Sequence, residues 1–228
     1  MPFPLDHRTR ALVTGATRGL GLALVQSLRA RGAAAVGVAR RPPAKPDPHF
    51  LQADIGADSA IGLAQRAAEL AGGPIDLLIH NASTLGPTPL PTFESLPEQA
   101  LEHVFDVNVF GPARLTRALL GPMRAQGRGL VLAISSDAAT GGYPTWGAYG
   151  ASKAATDALL HSLHHELNGS GVQVSAVDPG EMNTAMHAAA LPDADPATLA
   201  DPADVADRIL RRIEGRALPA RWIASEAA

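Results

Sequence analysis

Tyr149 and Lys153, in the stretch YGASK, stand four residues apart in an alanine-rich, helix-prone run. Residues at that spacing share a helix face, so the phenol and the ammonium can point into one pocket. A free phenol ionises near pH 10. An ammonium beside it favours the phenolate and brings the group closer to acid/base chemistry near neutrality. The same pair on a solvated face would do no chemistry, and the pair alone does not separate the two readings.

A second candidate is TGATRGLG, Thr14 to Gly21, directly after an apolar run, with glycines at 15, 19 and 21. A strand, a glycine turn and a helix N-terminus together offer backbone N–H groups to a phosphate. The spacing is neither G-x-G-x-x-G, which would need glycine where Thr17 stands, nor a Walker loop, which would need Gly-Lys where Leu20-Gly21 stand. A tight strand-to-helix connection is the plain alternative. The next apolar run ends in Ala39, Arg40 and Arg41 with no carboxylate. In a dinucleotide-binding fold an acid near this point binds the ribose 2′-hydroxyl, whereas arginine accommodates a 2′-phosphate. Arg18, inside the glycine turn, offers a second guanidinium. This favours NADP(H) over NAD(H).

The elements that would position these residues alternate along the chain. Short apolar runs (ALVT, AAAVGVA, HFLQAD, IDLLIH, GLVLAISS, VQVSAVDP) are separated by longer helical patterns such as LGLALVQSLRAR and YGASKAATDALLHSLHHEL. Strands alternating with helices predict a parallel sheet covered on both faces, an α/β doubly wound fold of Rossmann type. With no repeat and no linker, residues 1–228 read as a single domain. The loops at 84–92 and 181–196 come after strands, where such folds hold ligands.

Composition narrows the partners. The net charge of −3 comes without a basic run, so no nucleic acid is expected. No stretch is long and apolar enough for a membrane span, and the start lacks an apolar leader core, so a cytoplasmic protein is expected. With no cysteine, thiol nucleophiles, disulfides and thiolate metal sites are excluded. His161 and His165 are four apart but do not form H-E-x-x-H, and His161 would lie about 18 Å along the helix from Tyr149. They read as solvated or interface histidines, and no metal is expected.

In the order and spacing of its motifs the chain resembles the short-chain dehydrogenase/reductase family over nearly its whole length. The motifs are the T-G-x-x-x-G-x-G turn, Asp54-Ile55, Asn81-Ala82, Asn108, Ser136 thirteen residues before Tyr149, Lys153, Pro179-Gly180 and Thr184. Ser135 is set aside because its spacing differs by one. The resemblance implies a catalytic set of Asn108, Ser136, Tyr149 and Lys153. Tyr149 would exchange the proton, Ser136 would hold the substrate oxygen, Lys153 would lower the tyrosine pKa and bind the ribose, and Asn108 would hold a proton-relaying water. It further implies cofactor contacts from Thr14, Gly15, Thr17, Arg18, Gly19, Leu20 and Gly21, and from Ala39, Arg40 and Arg41. Asp54 and Ile55 would flank the adenine. Asn81, Ala82 and Ser83 would line the cleft together with Pro179, Gly180 and Met182, and Thr184 would meet the carboxamide. His80 and Ser83 depart from the Asn and Gly usual there.

Taken together, the residues and the resemblance imply an NADP(H)-dependent oxidoreductase for a small-molecule carbonyl or alcohol substrate, as a homo-oligomer, dimer or tetramer. Tyr143, Trp146, Leu85, Leu90, Met182 and Met186 suggest a partly hydrophobic pocket. A non-catalytic NADP-binding redox sensor or scaffold of the same fold is the alternative. A sugar epimerase or dehydratase is less favoured, because the T-G-x-x-G-x-x-G turn and the larger substrate domain of those relatives are missing.

Overall fold

The computed structural model describes residues 2–226. Seven strands make one sheet: β1 (Arg10–Thr14), β2 (Ala34–Ala39), β3 (Phe50–Gln52), β4 (Leu77–His80), β5 (Gly129–Ile134), β6 (Val172–Asp178) and β7 (Arg221–Ile223). Their order is β3-β2-β1-β4-β5-β6-β7, and every pairing is parallel. Seven helices connect or flank them: α1 (Gly19–Ala30), α2 (Ala60–Leu70), α3 (Glu98–Phe105), α4 (Gly111–Gln126), α5 (Gly147–Glu166), α6 (Ala185–Ala190) and α7 (Pro202–Gly215). This is the doubly wound architecture read from the sequence. The strands are shorter than the apolar runs: HFLQAD pairs only over Phe50–Gln52, and IDLLIH only over Leu77–His80.

Successive strand residues point to opposite faces, and here both faces are dry. Ala11 and Val13 pack with α1 and α7 residues such as Leu24, Leu28, Val205 and Ile209. Leu12 between them packs with Leu63, Leu115 and Leu160 from α2, α4 and α5. A strand buried on both sides must be apolar throughout, which is why the runs showed no alternation.

The order reverses between β1, which leads to β2, and β4, which leads to β5. Connections leave that point in opposite directions and open a crevice beyond the strand C-termini. The glycine turn leaves β1 there, Asn81 leaves β4, and Ser135 and Ser136 leave β5.

Candidate active site

Tyr149 and Lys153 lie in the first two turns of α5, and both are buried, 8% and 6% exposed. Gly150, between them, explains how the helix comes so near Ser136. A Cβ at position 150 would stand 2.6 Å from the Ala138 carbonyl oxygen, in the turn just beyond Ser136. Only glycine lets the helix and that turn touch. Trp146 packs edge-on against Tyr149, with ring centroids 5.7 Å apart.

The electrostatics of the pair are dominated by burial. The Lys153 ammonium donates to the Ile134 carbonyl (2.8 Å) and sits 5.5 Å from the Tyr149 ring centroid, and burial outweighs its pull on the phenol. Burial dominates the phenol and pushes it up to about 12. The Ser136 and Ser83 hydroxyls favour the phenolate and pull the other way, while the charges of Asp137 and Asp178 add to the rise. Burial also brings Lys153 down to about 8, against the attraction of Asp157. The phenol is therefore held protonated, as a proton donor must be.

Asn108 sits in a π turn, Asp106–Phe110, inserted between α3 and α4. Its hydrogen-bonding capacity is used within the protein. Its amide donates to the Thr84 carbonyl and the Ser152 hydroxyl (both 2.9 Å), and its side-chain oxygen accepts from the Ser83 hydroxyl and the Thr84 N–H. Its backbone carbonyl accepts from Thr156 (2.8 Å). Asn108 thus stands behind the cleft wall and pins the loop after β4 to α5. The water-holding role implied for it has no open side-chain atom here.

The cleft has a volume of about 1210 Å³. Its lining includes Gly15, Thr17, Arg18, Gly19 and Leu20 from the glycine turn, and Ala39, Arg40 and Arg41 from β2 and its end. Asp54, Ile55, Asn81, Ala82, Ser83, Ser136, Tyr149, Lys153, Pro179, Gly180, Met182 and Thr184 line it too. Three expected residues lie outside the lining. Thr14 is buried and accepts from the Asn81 and Ala82 N–H groups, which ties the end of β1 to β4. Gly21 packs inside the turn, where a Cβ would stand 2.3 Å from the Gly15 carbonyl oxygen. Asn108 is the third. Leu85, Tyr143, Trp146, Met182 and Met186 line the cleft as expected, whereas Leu90 only packs against the Leu85–Tyr149 cluster.

These residues fit a dinucleotide. Helix α1 begins at Gly19 without a side-chain cap and without an acid in its first turn, so its free N–H groups are open to an anion. The guanidiniums of Arg18, Arg40 and Arg41 carry no ion pair among the described residues. Among the described residues, no three His, Asp or Glu side chains come together as metal ligands would.

The family model for short chain dehydrogenases matches residues 9–195. The chain belongs to the short-chain dehydrogenase family. It is similar to an uncharacterized oxidoreductase of Myxococcus xanthus, 33% identical over 187 residues, or 77% of this chain and 72% of that protein. Matches to two further curated relatives span 61% and 68% of their lengths. Among solved structures, a short-chain dehydrogenase from Pseudomonas syringae is 31% identical with a TM-score of 0.85, over 98% of this chain and 96% of that one. A Shigella flexneri short-chain dehydrogenase complexed with NADP is 27% identical with a TM-score of 0.87, over 97% and 98% of the two chains.

As a short-chain dehydrogenase the chain is an oxidoreductase of an NAD(P)-using family, and one part of its site escaped the motifs. Arg221 of β7 reaches three elements at once. It donates to Asp157 of α5 (2.9 Å), to the backbone carbonyl of Ser136 (3.0 Å) and to Asp178 at the end of β6 (3.5 Å). Ser135, the serine set aside on spacing, donates to the same Asp157 oxygen (2.7 Å). The only sequence signal was a polar residue opening a short C-terminal strand. Its partners are 43 to 85 residues away in the chain.

Proposed function

We propose that this family member is an NADP(H)-dependent oxidoreductase for a carbonyl compound or secondary alcohol, with Tyr149 as general acid in reduction and general base in oxidation. The reading rests on one observation. Ser136, Tyr149 and Lys153 converge on one wall of a cleft that presents Arg18 two strands across the sheet, after β1, and Arg40 and Arg41 three strands across, after β2. Arg40 and Arg41 would take the 2′-phosphate, with Arg18 beside them, and the α1 N-terminus would take the diphosphate. Bound there, the nicotinamide supplies or accepts a hydride. Ser136 orients the substrate oxygen, and Tyr149 gives it the proton that the high phenol pKa keeps in place. Lys153, buried beside the phenol, supplies positive charge on that wall. The presence of Ser136, Tyr149 and Lys153 together in the cleft lining favours this reading over the sensor or scaffold.

The test is NADPH oxidation with a panel of ketones, aldehydes and quinones, comparing wild type with Tyr149→Phe. The variant keeps the ring, so folding and NADPH binding are expected to persist while turnover falls by about 10²- to 10⁴-fold. Equal rates would reject Tyr149 as the proton donor. Tight NADPH binding by a wild type that reduces no member of the panel would favour the sensor.

A further inference from the structure

The cleft rim on the Ser136 side is acidic. Asp137 comes directly after Ser136, and both of its oxygens are engaged with rim groups. Oδ1 accepts from the Ser136 hydroxyl (2.9 Å) and the Ala138 N–H (2.9 Å), and Oδ2 accepts from the Tyr143 hydroxyl (2.9 Å). Tyr143 is half exposed, and its phenol is raised by the Asp137 hydrogen bond and by the charges of Asp137, Asp178 and Glu181. Three carboxylates therefore act on one hydroxyl at the mouth. Asp178 is turned inward, held by the Gly180 N–H and Arg221. Glu181 is exposed and faces the His187 imidazole at 3.6 Å.

Behind the rim the Arg221 guanidinium is paired with Asp157 and Asp178, and the other cations of the cleft lining stand elsewhere. The three arginines lie across the sheet, at the end proposed for the cofactor. Lys153 is buried, with its ammonium on the Ile134 carbonyl. On the Ser136 side, His187 is the one basic side chain in the lining besides Lys153, and it sits against Glu181. A molecule bringing its carbonyl to Ser136 and Tyr149 shares the cleft with apolar surface from Trp146 and Met186 and with the charges of Asp137 and Glu181.

We propose that this rim is a charge selector: Asp137 and Glu181 favour a carbonyl substrate whose remote group is cationic and turn away one whose remote group is a carboxylate. The proposal rests on the oxidoreductase reading above and adds a substrate class to it. Like charges a few ångströms apart at a partly solvated surface repel by an amount worth on the order of tenfold in kcat/KM, and salt screens that repulsion.

Three matched aldehydes test it: para-formylbenzoate, its methyl ester, and the para-trimethylammonio benzaldehyde. With wild type and NADPH at low salt, kcat/KM is expected to fall in the order cation, ester, carboxylate. The carboxylate should lie about tenfold or more below the ester, and the gap should close at high salt. The ester-to-carboxylate ratio is expected to drop toward one in Asp137→Asn and in Glu181→Gln. Because the ratio is read within each protein, a general loss of activity cancels. Equal values for ester and carboxylate in wild type, or a ratio that neither substitution moves, would overturn the selector. Should none of the three be reduced, the oxidoreductase reading is judged on the wider panel, and binding of the same three compounds is measured by quenching of tryptophan fluorescence, since Trp146 lines the mouth. The same charge order then supports the selector, and carboxylate binding as tight as the cation rejects it.

Discussion

Burial decides the protonation of three side chains around the cleft, in each case by disfavouring the charged form. It holds Tyr149 up at about 12, Lys153 down at about 8 and His80 down at about 3. The last has a consequence for stability. His80 is buried at the end of β4; its Nε2 shares a hydrogen bond with Thr116 (2.8 Å), and its Nδ1 has no partner. Unfolded, it takes a proton near pH 6.5; folded, only near 3. Between those values the unfolded chain binds more protons, so stability is full above about pH 6.5 and is lost as pH falls toward 3, by up to about 1.4 kcal/mol per pH unit. His80→Asn removes this titration, so its melting temperature should fall less than that of wild type between pH 6.5 and 4. Parallel curves would show that His80 contributes nothing to the acid limb. Residue types and spacing made the Tyr149–Lys153 face legible in the sequence. They did not show that burial would outweigh the ammonium at Tyr149, because burial belongs to the packing around a side chain.

At the scale of elements, the contact between α5 and the turn after Ser136 sets the distance between serine and tyrosine, and Gly150 permits it. Gly150→Ala puts a methyl against the Ala138 carbonyl, where neither backbone can yield cheaply. The helix must move, and Tyr149 with it. A loss of roughly 1–3 kcal/mol in stability is expected, together with a fall in kcat larger than any change in NADPH affinity, since the glycine turn is untouched. A variant with wild-type kcat would show that the helix tolerates the shift. The glycine of YGASK was visible in the sequence, but the Ala138 carbonyl it must clear lies in a separate turn and was not. The π turn at Asn108 was equally hidden: DVNVF carries no local signal for a wider turn, which is stabilised by the grip of Asn108 on Thr84, Ser152 and Thr156.

For the whole molecule, the net charge of −3 says little about the cleft, where Arg40 and Arg41 stand at one end of the groove and Asp137 and Glu181 at the other. NADPH should bind more tightly than NADH, with a preference that weakens as salt rises, because the arginines are exposed. Ala39→Asp, which sets a carboxylate beside them, should shift the preference toward NADH. Equal dissociation constants at low salt would remove the arginines from cofactor selection. The arginines could be read from the sequence because a doubly wound fold fixes where the second strand ends. The acidic end could not, since the Asp137–Tyr143 pair after β5 and Glu181 after β6 come together only when the sheet is built.

The clamp made by Arg221 also sets an order in time. Strands β1 to β6 pair using residues up to Asp178, and β7 joins only through β6, at Arg221–Ile223. The β6–β7 pairing joins residues 45 apart and needs β6 in place, whereas the β1–β2 pairing beneath the glycine turn and the arginine end joins residues 24 apart, so the β6–β7 pairing forms later. The glycine turn and the arginine end can thus be assembled while the Ser136 backbone is still unclamped. After dilution from denaturant, NADPH binding is expected to return before turnover. In Arg221→Met that lag should vanish, with turnover settling below the wild-type level; a wild type that recovers both together would place the docking of β7 before the cofactor cradle.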